Sequence, residues 1–190
     1  GCGTLLYLSY NAAKVTEDSY YSEKFNEYLE FFANVNINQY TEMDIISGCA
    51  GIVLFLSNVY EECGEVKVLK VLKKFNACLL KAYKENKLPN LTGFAHGFAG
   101  ISLALLKAAT SLNNSLSYNA GVDLIEREDS YYLEETNNWI DLRNGEESIY
   151  AWCYGMAGIL LSRIEASNYI RVQDEGKLRK DIQRCFKGIM

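Results

Sequence analysis

The chain contains one proline, Pro89, one histidine, His96, and no run of lysine or arginine long enough to form a basic stripe. The lack of proline leaves long segments rich in Leu, Lys, Glu and Ala, which suit helices better than the many short strands of a sandwich. With 19 basic against 24 acidic residues and a net charge of −5, nothing here could release many counterions from a nucleic acid, so nucleic acid is not an expected partner. Long apolar runs are missing as well. The longest, Gly48 to Leu56 and Gly97 to Leu106, fall well short of the roughly 20 residues of a spanning helix, which argues against a transmembrane segment. The opening Gly1-Cys2-Gly3 lacks the basic start and apolar core of an export signal. The six cysteines are therefore read as reduced thiols and the chain as cytoplasmic.

What is present fits one packed domain: 190 residues, 49% of them apolar, are enough for one core and few for two. The absence of an initiator Met and the ending Gly188-Ile189-Met190 give the expectation that both termini are cut edges. Self-similarity organises the rest. Gly3-Thr4-Leu5-Leu6, Gly48-Cys49-Ala50-Gly51-Ile52, Gly97-Phe98-Ala99-Gly100-Ile101 and Gly155-Met156-Ala157-Gly158-Ile159 each open an apolar run. Their marker glycines, Gly3, Gly51, Gly100 and Gly158, follow one another at 48, 49 and 58 residues, room each time for a helical hairpin. The expected fold is all-α, a circular or solenoidal array of helix pairs.

Glycine at these positions admits turn conformations closed to other residues and removes a side chain where helices meet. The loops also present helix N-terminal amides. Tight helix contact explains the glycines without any function, but it does not explain the polar residues just before them. Four residues ahead of the second glycine stand Ser47, His96 and Tyr154, and five ahead of Gly158 stands Cys153. If the array closes, equivalent loops converge on one end and bring these residues to one site.

Leu91 to Gly100, read as Leu-Thr-Gly-Phe-Ala-His-Gly-Phe-Ala-Gly, resembles the Gly-x-Ala-His-Gly-x-x-Gly segment of the lanthionine synthetase cyclases. Ala151-Trp152-Cys153-Tyr154-Gly155-Met156-Ala157-Gly158 resembles their Trp-Cys-x-Gly-x-x-Gly segment. Asp44 to Ile52 stands upstream in the family's order, and the resemblance covers nearly the whole chain. Trp139-Ile140-Asp141-Leu142-Arg143 ahead of Trp152-Cys153 looks like the cyclase domain fused to a dehydratase in class II synthetases; a stand-alone lantibiotic cyclase is the alternative. The resemblance implies an α/α toroid, here incomplete: residues 1–190 would be part of one cyclase-like domain, truncated before the family's Cys-His-Gly motif. Cys185-Phe186-Lys187-Gly188 does not replace that motif, since it lacks His.

The resemblance further implies zinc-dependent closure of thioether rings, in which a peptide cysteine adds to dehydroalanine or dehydrobutyrine. The expected partners are a dehydrated precursor peptide and a dehydratase domain or protein. Zinc lowers the pKa of a bound thiol and so supplies the nucleophile. Cys153 is the expected metal ligand, set against its reading as a small buried hydrophobe; two further ligands would lie in the missing motif. His96 is the expected acid or base, set against a purely structural histidine. Tyr154 would donate a hydrogen bond to the enolate oxygen or simply pack. Asp44 would orient His96 or serve as a helix N-cap. The family's site arginine has no match by position, because Ile149 and Tyr150 stand where it is expected and Arg143 is farther away. Cys2, Cys63, Cys78 and Cys185 are read as ordinary thiols, and Cys49 matches no ligand position. Two other functions compete: a non-catalytic module that holds a peptide or thiol compound, and a helical-repeat scaffold without a site.

Overall fold

Eight helices follow one another in a computed structural model that describes residues 3–143, 145 and 149–189, with Ile189 described by its backbone alone. Cys2, read above as an ordinary thiol, lies outside the described residues. Helices α1 (Gly3–Thr16) and α2 (Ser19–Asn34) form the first hairpin, α3 (Cys49–Cys63) and α4 (Val66–Lys84) the second. Helices α5 (Phe98–Leu112) and α6 (Ser115–Asp129) form the third, α7 (Met156–Ala166) and α8 (Glu175–Ile189) the fourth. The first member of each pair packs beside the first member of the next, and the second members form a backing layer, α2 on α4, α4 on α6 and α6 on α8. The four hairpins thus make an all-α arc of the α/α toroid type. No helix among the described residues is long and apolar enough to cross a membrane.

Local chemistry fixes the boundaries. Asp18 Oδ1 accepts the Tyr20 amide at the start of α2, and Asn114 Oδ1 accepts the Leu116 and Ser117 amides at the start of α6, each satisfying donors that have no partner within the helix. Gly64 ends α3 at φ +65° and Asn113 ends α5 at φ +48°, both left-handed caps. The amphipathic α4 buries Val68, Val71, Leu72, Phe75 and Leu79 along one stripe. Helix α5 lies between α3 and α7 with α6 behind it, so it is buried from Phe98 through Leu106 and again at Ala108 and Ala109. That enclosure accounts for its almost wholly apolar sequence.

The helical reading of the sequence omits one element. Tyr132–Leu133 (β1) pairs antiparallel with Asn138–Trp139 (β2), Tyr132 opposite Trp139. Trp139 is fully buried and sits in a cluster with Ala99, Met156, Ile159 and Cys185. This hairpin lies in the longer third interval of the repeat, and its second strand packs against α8.

Candidate active site

The loops that open α3, α5 and α7 share one geometry. Gly48, Gly97 and Gly155 are extended, at φ −114°, −115° and −131° with ψ near −168°. The first amide of each helix donates to the carbonyl seven residues earlier: Cys49 to Glu42, Phe98 to Leu91 and Met156 to Ile149. These first glycines are therefore required for space and not for a left-handed turn, which corrects the expectation from sequence. A Cβ on Gly48 would meet the Glu42 carbonyl, on Gly97 that of Leu91 and on Gly155 that of Ile149. In the first loop Ala50 and Gly51 also donate, to Met43 and Asp44, so those helix amides are already used.

The loops are hydrogen-bonded to one another. Ile45 N donates to Ala95 O and Ala95 N to Cys153 O, each at 3.1 Å. Gly93, at φ +96°, lies so close to the next loop that a Cβ would fall 2.4 Å from Tyr154 Cα. Three segments separated by about fifty residues are held edge to edge at one end of the arc, with Ser47, His96 and Tyr154 in corresponding positions.

That contact assembles a stack. His96 Nδ1 lies 2.6 Å from Asp44 Oδ2, with the Asp44 side chain 8% exposed and that of His96 28%. A carboxylate only accepts, so in the pair with Asp44 the donor is Nδ1, and in the neutral ring Nε2 then holds the lone pair. Asp44 Oδ1 takes the Ser47 backbone amide at 2.8 Å and its hydroxyl at 3.3 Å. Asp44 thus hydrogen-bonds His96 and Ser47, and the N-cap of α3 is Gly48 without a side-chain bond. The imidazole stacks on the Tyr154 ring, centroids 5.1 Å apart and planes 18° from parallel.

Sequence reasoning passed over one member. The Arg143 guanidinium lies over the Tyr154 ring, 3.7 Å from its centroid, and is forked onto Asp141 through Nε at 3.0 Å and Nη2 at 2.6 Å. The same hydrogen bonds hold the Asp141 carboxyl below the usual carboxylate range. Arg143 is 11 residues from Tyr154 along the chain and beside it in space. The one signal available was the Asp-x-Arg spacing, which suits a local fork that presents a guanidinium face to an aromatic ring.

Cys153 is half-buried, next to Tyr154 and the exposed Trp152. The other described cysteines offer no comparable position. Cys49 and Cys185 are buried, and burial pushes both thiols up, Cys185 to about 12. Cys63 is exposed at the end of α3, and Cys78 is half-buried on α4. Among the described residues no three His, Cys, Asp or Glu side chains stand together in a way that could hold a metal ion. Cys153 offers one sulfur, and the chain's only histidine is engaged at Nδ1 by Asp44, so the described residues do not by themselves fit a zinc centre.

The family model described as "Lanthionine synthetase C-like protein" matches residues 1–190. The chain is also similar to a lacticin 481/lactococcin biosynthesis protein of Lactococcus lactis subsp. lactis, 28% identical over 123 residues. The matched stretch covers 64% of this chain and 13% of that relative.

Proposed function

The chain belongs to the lanthionine synthetase C-like family, and from that premise we propose that it contributes the acid–base part of a site that closes thioether rings in a dehydrated precursor peptide. The supporting observation is the stack of His96 on Tyr154 with Asp44 behind the imidazole and Arg143 behind the phenol.

In the proposed reaction the sulfur of a peptide cysteine bonds to the β-carbon of dehydroalanine or dehydrobutyrine. The C=C π pair moves onto the α-carbon and its carbonyl oxygen, and the thiol proton ends on the α-carbon. Net, S–H adds across C=C, so atoms and charge balance without an oxidant or reductant. His96 is suited to carry that proton: the carboxylate on Nδ1 stabilises the imidazolium formed when Nε2 takes it, and Nε2 can then return it to carbon. The Tyr154 hydroxyl would donate to the enolate oxygen, with the adjacent guanidinium of Arg143 favouring the negative charge there. Zinc belongs to the proposal as a thiol-activating ion. Cys153 would supply one ligand, and the others would have to come from outside the described residues. A dehydratase, fused or separate, would supply the substrate.

The test uses the intact protein with a dehydrated peptide, reading metal content and mass-spectrometric thiol trapping. Cys153→Ala should lose the metal and cyclisation together, whereas His96→Asn should keep the metal and slow or misdirect closure by about 10²–10⁴-fold. If His96→Asn also empties the metal site, His96 is a ligand. If neither change affects cyclisation, neither residue carries the reaction, and the likeness of these segments to the family reflects the fold alone.

A further inference from the structure

The loop that carries His96 is tied to a buried charge network that shares no hydrogen bond with the stack among the described residues. Gly93, three residues before His96, donates its backbone N–H to Glu128 Oε1 at 2.8 Å. Glu128 lies in the last turn of α6 and is fully buried, and its Oε2 accepts from Arg163 Nη2 at 2.8 Å. Arg163, on α7 and also fully buried, donates its Nε to Asp181 on α8 at 2.7 Å. Its Nη1 is buried without a partner among the described residues. Such a network is a poor source of stability, because desolvating the charges offsets much of their attraction and apolar residues of similar size often serve as well. Its position suggests another use.

Gly93 has no side chain with which to anchor itself, and at φ +96° it occupies a conformation other residues rarely adopt. Its amide is the handle by which the loop can be held from below. Thr92 adds a second tie, its hydroxyl within reach of the Ile140 carbonyl at 2.7 Å and the Tyr154 carbonyl at 3.2 Å. We propose that Glu128 is a positioning residue for the His96 loop: its carboxylate, held by Arg163, fixes Gly93 and thereby sets His96 against Tyr154. The two carboxylate oxygens do separate work, one for the loop and one for the arginine. A glutamine has a single acceptor oxygen and can do only one of the two.

As far as catalysis is concerned, this rests on the reading of His96 as the proton-transfer residue; the placement of the ring does not. Because His96 is the only histidine in the chain, its imidazole signals in ¹H–¹⁵N spectra report on the loop without assignment ambiguity. Glu128→Gln should speed exchange of the Gly93 amide by at least about tenfold and shift or broaden the His96 signals. Asp181→Asn, which takes the charge from the other partner of Arg163, should leave both near wild type even where it lowers stability. In Glu128→Gln combined with Arg163→Met, the amide oxygen has no arginine to serve and can accept from Gly93, so both readouts should return toward wild type. Equal effects of Glu128→Gln and Asp181→Asn, no effect of either, or no rescue in the double variant would overturn the proposal. In the intact protein, cyclisation should fall about 10–100-fold in Glu128→Gln with KM little changed. The expected spectra with an unchanged rate would keep the positioning role and count against the catalytic reading of His96.

Discussion

Position 93 makes two separate demands on its residue. Its φ of +96° excludes most side chains, and the neighbouring backbone of Tyr154 leaves no room for a Cβ. Gly64 makes only the first demand, at φ +65° with nothing within 4 Å of a Cβ. Gly64→Ala should therefore cost about 1 kcal/mol, and Gly93→Ala distinctly more, about 2–3 kcal/mol or beyond, with loss of the His96 ring stack. Denaturant titrations of the two variants, with His96 signals followed alongside, check both statements; equal costs would mean that the loops are not pressed together. At this scale the sequence was readable where the repeat supplied a register, since Ser47, His96 and Tyr154 occupy equivalent slots. Arg143 was not readable, because its neighbour Tyr154 lies 11 residues away along the chain and only the folded chain sets the guanidinium on the ring.

Across elements the same register produces an apolar ladder. Six residues before the second glycine stand Ile45, Phe94 and Trp152, and a Cβ on Gly51, Gly100 or Gly158 would press on the carbonyl of the rung in its own loop. Each of the first two rungs also reaches the glycine of the following repeat: Ile45 Cγ1 lies 2.5 Å and Phe94 Cβ 2.8 Å from where the Cβ of Gly100 and of Gly158 would be. Phe94 is consequently buried, whereas Trp152 is 42% exposed and rests on Phe94 with ring centroids 5.3 Å apart. Phe94→Ala should cost about 3–5 kcal/mol in the thermal or denaturant unfolding of this chain. Trp152→Ala should cost under about 1.5 kcal/mol, because much of its ring has no packing to lose. Comparable losses would show that the rungs are not ordered as described. Helices were readable because each carries a periodic or continuous apolar face over eleven or more residues. The hairpin of β1 and β2 was not, because two-residue strands carry no period and are set by the burial of Trp139.

For the molecule as a whole, the buried network gives a pH dependence whose sign can be worked out. Burial pushes the Glu128 carboxyl above its ordinary 4.5 and that of Asp181 above 3.8, against the opposing pull of Arg163. A carboxyl with a raised pKa holds its proton more tightly in the folded state. The stability it contributes is complete below the ordinary value and is lost as pH rises through the raised one. In urea unfolding followed from pH 4.5 upward, stability should fall less steeply in Glu128→Gln than in the wild-type chain, because that variant removes one raised carboxyl and keeps Arg163 beside Asp181. Arg163→Met alone, which leaves the Glu128 carboxylate buried without its cation and Asp181 with Arg184 at 3.7 Å, should cost about 3–5 kcal/mol. The four-hairpin array was legible from the spacing of the marker glycines, while the network was not, since Glu128, Arg163 and Asp181 lie on three helices that only the packed arc brings together.

The proposed acid–base site rests most directly on the pairing of Asp44 with His96. Long-range ¹H–¹⁵N correlation of the single imidazole at a pH where it is neutral distinguishes a proton on Nδ1 from one on Nε2. In the wild-type chain the proton should reside on Nδ1, donated to Asp44. In Asp44→Asn the imidazole should lose that preference and shift toward the Nε2–H form that is commoner in free histidine. An Nε2–H imidazole in the wild-type chain, unchanged by Asp44→Asn, would contradict the site described here.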